Sequence, residues 1–414
     1  MRLRNVALAT GIVLAAGAVL SQDTAFKAVA RNELDLARAG ETIELPLASL
    51  PGVKADDLPR LGVRETRSAR ELLAQAVDSD GDGAFDQLVF QADFAPREEK
   101  AFLLTLGQRR PPREEDFRVY GRFVRERFDD FAWENDRVAH RMYGAALETW
   151  RKEPLTSSGV DVWVKRTRRL ILNDWYMVDD YHRDHGEGAD FYSAGPSRGC
   201  GGSGIWSGGQ LFVSRNFRDS RVLANGPIRL VFELDYVAWD AGGRKVSERK
   251  RVTLDAGAHL NRFESTYLLD GGSGAQPQSG VSPRGPRPGI HSRRVPPDGA
   301  ADLTWAAGIK KPAGAHLRVE REQGWMRTWE PIRDGNGNLG CAVLLDPATL
   351  VDVAEAGGNA LAVGRSPAGR PASYHAGSAW DRGPDVKALA DWDRYLAEWA
   401  QRLRTPIQVE VAPR

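Results

Sequence analysis

The chain has 414 residues, enough for one large domain or two ordinary ones, with a formal net charge of +1 and 27% charged residues of mixed sign. That balance excludes the basic stripe of a nucleic-acid binder. Glycine (43) and proline (23) punctuate short apolar runs, which favours β-structure with many turns, and 12 tryptophans suit either a large β-core or a cleft whose indoles stack on sugar rings.

In chain order, Arg2 and Arg4 precede an apolar run from Val6 to Leu20, and polar residues begin at Ser21. The run is short for a membrane span and has the charged and apolar regions of a signal peptide over residues 1–21. The expectation is an exported protein, periplasmic or secreted and free of the membrane after cleavage, with residues 22–414 as a single large domain. Strands are predicted at Thr42–Leu47, Gln87–Phe94, Ala101–Leu106, Phe117–Val124, Val160–Lys165, Ile228–Tyr236, Arg251–Leu254, Leu339–Leu345 and Pro406–Val411. Helical spacing is confined to Asp136–Trp150 and to a C-terminal stripe of Trp392, Tyr395, Leu396, Trp399 and Leu403. The predicted fold is therefore mainly β, a large antiparallel sandwich with few helices and a C-terminal helix. Residues 270–299 carry Gly, Pro, Ser and Arg with almost no large apolar side chain, and read as a long disordered or mobile loop. Cys200 and Cys341 are the only cysteines, and sequence leaves their pairing open.

Four segments point to chemistry. In Asp78-Ser-Asp80-Gly-Asp82-Gly83-Ala-Phe-Asp86, aspartates at positions one, three, five and nine converge on a hard cation, with a glycine at six for the tight turn. Val89 stands where a helical calcium loop needs its bidentate acid, so the pattern is that of a calcium loop in a β-hairpin, a structural staple. In the second, Phe131 to Gly144, Glu134, Asn135, Arg137, His140 and Arg141 crowd one stretch, where an arginine fork matches a uronic acid or an internal carboxylate equally well. Strand alternation then sets Asp161, Trp163 and Lys165 on one face, as a cleft wall or an ordinary amphipathic strand.

The fourth is Tyr181 to Trp206, in which Tyr181, His182, Asp184, His185, Glu187, Asp190 and Tyr192 fall within twelve residues and a glycine-dense loop follows. Such density of His, Tyr and carboxylate suits acid–base chemistry on a polar substrate. No HExxH spacing accompanies the histidines, which argues against zinc, and no Ser-His-Asp signature or phosphate loop appears.

The segments FAWENDRVAHRMYG, GVDVWVKR, YHRDHGEGADFYSAGPSRGCGGSGIW and Asn225-Gly226-Pro227-Ile228-Arg229, with the hairpin DSDGDGAFDQLVF and the C-terminal SYHAGSAWDRG, together resemble the bacterial domain-of-unknown-function family 4861 from about Glu41 to the C-terminus. The resemblance implies an exported protein, of a kind often encoded among genes for breaking down uronic-acid-rich polysaccharides. It also implies a sandwich of the galactose mutarotase-like or lyase supersandwich type. Arg382-Gly383-Pro384 after Trp380 and the stretch near 270–299 depart from the family pattern.

Elimination from a uronate needs a cation for the C6 carboxylate, a base for the C5 proton and an acid for the C4 leaving group. Arg137, Arg141 or Lys165 supply the first by residue type, His182 or His185 the second, and Tyr181 or Tyr192 the third, with Glu187 or Asp184 orienting an imidazole. The alternatives are a hydrolase with paired carboxylates, for which Glu134 and Glu187 are the candidates, and a glycan-binding protein without catalysis.

Overall fold

The computed structural model describes residues 25–269 and 302–413. The predicted leader over 1–21 and the predicted loop at 270–299 lie outside the described residues. The chain is mainly β, with the expected antiparallel sheets, few helices and a C-terminal helix. No helix among the described residues is long and apolar enough to cross a membrane.

Period-two alternation decides the layers. An eight-stranded sheet runs in the order Asp219–Asn225, Arg229–Asp240, Lys245–Asp255, Leu260–Leu269, Pro371–Trp380, Asn338–Leu344, Trp325–Pro331, Arg318–Glu320. Against it lie two five-stranded sheets, one centred on Asp130–Asn135, Ala139–Met142 and Asp161–Lys165, the other on Cys200–Ser207, Asp302–Lys310 and Asn359–Pro367. An isolated parallel bridge between Val160 and Gly199 splices the two. Gly199 has φ +57°, and a Cβ there would stand 1.9 Å from the Val160 carbonyl oxygen, so the splice requires glycine.

Inward side chains of all three sheets, among them Phe131, Trp133, Phe232, Phe263, Trp305 and Val343, form one core. Phe131 stacks on Phe232 with centroids 4.2 Å apart, which fixes how the layers meet, and each such side chain contributes about 1.5–3 kcal/mol by leaving water. Cys200 and Cys341 lie buried in this core as free thiols, Cys200 Sγ donating to the Gly377 carbonyl at 3.0 Å.

The outer face of the eight-stranded sheet is covered twice. A five-stranded and a three-stranded sheet, built from the N-terminal third with the C-terminal strand Gln408–Pro413 at one edge, enclose their own core of Phe26, Leu45, Phe90, Phe102 and Leu104, and dock through Val77 and Val89 on Ile228 and Val231. The C-terminal helix, Leu389–Arg404, buries Trp392, Leu396 and Ala400 against Trp325, Leu344 and Ala379.

The helix predicted at Asp136–Trp150 does not form. Its residues make a turn, the strand Ala139–Met142 and a 3-10 turn at Ala145–Thr149, because pairing with both neighbouring strands satisfies the backbone of this stretch.

Candidate functional site

The site is built on the face of the Asp130–Asn135, Ala139–Met142, Asp161–Lys165 meander that points away from the core. Arg141 stands opposite Ala132 and Asp161, and Ala139 opposite Glu134 and Trp163. Register therefore puts Asp130, Glu134, Arg141, Asp161, Trp163 and Lys165 on one face, while Phe131, Trp133, His140, Met142 and Val162 face inward. The small side chains Ala132 and Ala139 leave room for Trp163, Tyr176 and Tyr181, which pack there under the short helix Leu172–Val178.

Arg141 is ringed by three aspartates. Its Nε donates to Asp161 Oδ2 at 2.8 Å, its Nη2 donates to Asp190 Oδ2 at 2.9 Å, and its Nη1 lies 3.8 Å from Asp130 Oδ2. Three carboxylates around one guanidinium exceed its charge, and burial sharpens the imbalance. Burial pushes the Asp190 carboxyl well above its ordinary range, with Asp161 adding to the push, and drives Asp130 up to about 7 against the pull of Arg141. Near neutral pH the cluster thus holds a proton on a carboxyl.

Over this cluster lies the segment that sequence singles out. Tyr181 is only 3% exposed and stacks on Trp163, with centroids 4.9 Å apart. Its hydroxyl, the Tyr176 hydroxyl, Trp163 Nε1 and Asp190 Oδ1 are buried with no hydrogen-bond partner among the described residues. Buried polar atoms are ordinarily paired, so four orphans at one spot mark a place for bound groups. His182 sits at the mouth with its side chain 62% exposed, Nδ1 lying 3.1 Å from the Asp190 carbonyl oxygen and 3.5 Å from Asp190 Oδ2. Because a carbonyl only accepts, Nδ1 carries the proton and Nε2 turns its lone pair outward, the tautomer a general base needs.

The other predicted residues are placed elsewhere or already engaged. His185 pairs through Nε2 with Asp180 Oδ2 at 2.9 Å. Asp184 accepts from the Gly186 and Gly188 amides and pairs with Arg166, while Glu187 takes the Arg169 fork at 2.5 Å, so both shape the loop and the contact on His182 comes from Asp190. Glu134 and Lys165 bond each other at 2.6 Å, and Glu134 also accepts from the Ile171 and Leu172 amides. Asn135 builds the following turn, accepting from the Arg137 and Val138 amides and donating to the Asp255 and Ala258 carbonyls. Arg137 points away to Asp136 and Asp385. Tyr192 is buried beside the two cysteines, its hydroxyl unpaired, with Lys310 Nζ 5.4 Å from its ring centroid. Asp130, Tyr143 and Arg127 belong to the cluster and are missed in the sequence, although an acid opening the apolar run Phe131-Ala132-Trp133 is a visible oddity.

Carboxylate oxygens of Asp78, Asp80 and Asp86 lie within 4.8 Å of one another, and Asp82 does not join them. Arg221 and Arg251 donate to the Gly81, Ser79 and Asp80 carbonyls, pinning this loop to the eight-stranded sheet. A larger cleft of about 1170 Å³ opens between the N-terminal sheets, the C-terminal helix and the outer face of the eight-stranded sheet. Of the residues predicted from sequence it takes only Arg137, and pairs such as Arg229–Asp255 and Arg262–Glu264 engage charges on its wall.

A family model described as a domain of unknown function, DUF4861, matches residues 30–273 and 298–409, leaving unmatched much of the Gly- and Pro-rich stretch. An uncharacterized protein P7 of Formosa agariphila is 31% identical over 396 residues, covering 92% of each chain. Among solved structures, a glycosyl hydrolase family 38 protein of Enterococcus faecalis is similar at 10% identity and a TM-score of 0.47, over 95% of this chain and 48% of that one. An α-mannosidase of the same organism gives 10% and 0.47 over 94% and 46%. The chain spans about half the length of these two structures.

Proposed function

The chain belongs to the DUF4861 family, and from that premise and the Arg141 cluster we propose an exported, carbohydrate-active enzyme that acts on uronic-acid-containing poly- or oligosaccharides by β-elimination. The observation that carries the reading is the pairing of an outward imidazole, His182, with the unpartnered Tyr181 hydroxyl, ring centroids 4.6 Å apart, above a carboxyl cluster that orients the imidazole through Asp190. His182 Nε2 takes the C5 proton, the C4–O bond breaks, and the departing oxygen takes its proton from the Tyr181 hydroxyl, leaving a C4=C5 double bond. A sugar on C4 makes the enzyme a lyase; a hydroxyl there makes it a dehydratase. Asp184, His185, Glu187 and Tyr192 support the loop in this scheme, and calcium at Asp78, Asp80 and Asp86, with Asp82 nearby in the chain, staples the hairpin.

One observation favours hydrolysis as a second reading: Asp130 and Asp190, whose carboxyls burial pushes up, stand with Asp161 around Arg141, and hydrolysis of a glycosidic bond requires a pair of carboxyl groups. The test follows the ultraviolet absorbance of a conjugated 4,5-unsaturated uronate across a panel of uronic-acid oligo- and polysaccharides. A rise that vanishes in His182→Ala is expected. New reducing ends without absorbance select hydrolysis, and a flat trace with neither leaves glycan binding.

A further inference from the structure

Elimination needs a cation on the substrate carboxylate, and the cations nearest in sequence are all spent. Arg141 serves three aspartates, Lys165 is bonded to Glu134, and Arg137 is held by Asp136 and Asp385. Arg127 is different: among the described residues it has no hydrogen bond and no ion pair. What touches it is aromatic, although its charge also acts at longer range on the Asp130 and Asp190 carboxyls. Its guanidinium carbon lies 5.4 Å from the Tyr181 ring centroid, 5.7 Å from Trp150 and 5.9 Å from Phe128, and the last two rings are stacked 4.4 Å apart. Cation–π contact consumes no conventional hydrogen-bond acceptor, so the N–H donors of the guanidinium are left to meet a ligand.

The backbone beneath is strained in the same place. After the 3-10 turn Arg125–Arg127, Phe128 and Asp129 both take left-handed φ, 55° and 65°. A bulky residue in that region is strained and persists only where packing imposes it. Packing does so here, since a Cβ on Gly144 would stand 1.8 Å from the Asp129 carbonyl oxygen. The strained turn sets Phe128 under Arg127 and Asp130 into the Arg141 cluster.

We infer that Arg127 is the carboxylate-binding residue of this site, a fork that takes the C6 carboxylate of an acidic sugar beside Tyr181 and His182; the inference rests on the uronate reading above. The three reacting positions of a uronate, C4, C5 and C6, are consecutive carbons, so phenol, imidazole and cation must converge within a few ångströms. Around the Tyr181 ring they do, with His182 4.6 Å and Arg127 5.4 Å from its centroid. A bidentate pair also favours arginine over lysine, which offers only a point charge.

The experiment measures binding of a uronic-acid tetrasaccharide and of the same tetrasaccharide with its carboxyls reduced to alcohols, to wild type, Arg127→Gln and Arg127→Lys, by tryptophan fluorescence and calorimetry. Wild type should favour the acid by roughly 10- to 100-fold. In Arg127→Gln that preference should fall to within about twofold, with affinity for the reduced sugar unchanged, and Arg127→Lys should restore only part of it. A wild-type preference that survives in Arg127→Gln overturns the assignment of Arg127 and leaves the uronate reading standing. Equal or absent binding of both sugars by wild type overturns the uronate reading, and the assignment with it. Circular dichroism of each variant separates loss of the fork from loss of the fold.

Discussion

Lys165 Nζ meets Glu134 Oε2 at 2.6 Å with both side chains fully shielded from solvent. Burial pushes the Glu134 carboxyl up and the Lys165 amine down, so the pair stays charged only because each neutralises the other. Lys165→Met is expected to cost about 3–5 kcal/mol in urea unfolding, since it leaves a buried carboxylate without a counter-ion. Glu134→Leu with Lys165→Met should recover much of that loss but not all, because the Ile171 and Leu172 amides then lose their acceptor. A double-mutant cycle near zero would mean the pair is not formed.

Tyr181→Phe separates chemistry from stability. The hydroxyl has no hydrogen-bond partner among the described residues, so its removal should leave the unfolding free energy within about 1 kcal/mol of wild type or raise it. If the phenol is the acid of the elimination, turnover should fall about 10²–10⁴-fold in the same protein. Full activity in Tyr181→Phe would transfer the acid role to the Asp130 and Asp190 carboxyls.

The Asp130 carboxyl has a definite signature in pH. Its value rises from 3.8 to about 7 on folding, so the folded chain keeps a proton there that the unfolded chain releases. Proton uptake on folding makes this contribution to stability fall as pH rises through that window, by up to about 1.4 kcal/mol per pH unit, and level off above it. Stability of wild type relative to Asp130→Asn should therefore decline between pH 4 and 7. Parallel curves for the two proteins would refute the buried proton.

His140 runs the other way. It is fully buried, accepts at Nε2 from the Asn261 amide, and burial lowers its value to about 3 against 6.5 when exposed. The unfolded chain takes up a proton that the folded one refuses, so stability drops as pH falls through that interval. His140→Gln should soften acid unfolding in a urea series taken from pH 7 to 4.

The aspartate loop is tested by metal removal. Calcium at 100 times its dissociation constant would stabilise the fold by about 2.7 kcal/mol, read as a calcium-dependent Tm that Asp78→Ala abolishes. Identical Tm values in chelator and in calcium would make the loop a turn held by its own hydrogen bonds, such as those Asp78 accepts from the Gly81 and Gly83 amides.

Strands are legible in the sequence where alternation is unbroken, as at Gln87–Phe94, whose predicted and observed bounds coincide. The stretch Asp136–Trp150 misleads because Val138 and Met142, then Tyr143 and Leu147, recur four apart, a spacing that a short strand followed by one 3-10 turn reproduces. At the site, Tyr181, His182, Arg141 and Trp163 are legible by residue type. Partners are not: Glu187 and Asp184 neighbour the histidines in the chain, yet arginines and backbone amides claim them. Asp130 and Asp161 meet Arg141 only through the register of three strands, and Arg127 announces itself only by what fails to bond it.

The strand Ala25–Arg31 lies between Glu99–Leu106 and Gln408–Pro413, pairing residue by residue from Phe26 with Pro413 to Arg31 with Gln408. During synthesis, then, one of the earliest strands to leave the ribosome waits for one of the last before its second edge is closed. Until that moment the edge of Ala25–Arg31 that Gln408–Pro413 will cover stands open to any extended peptide.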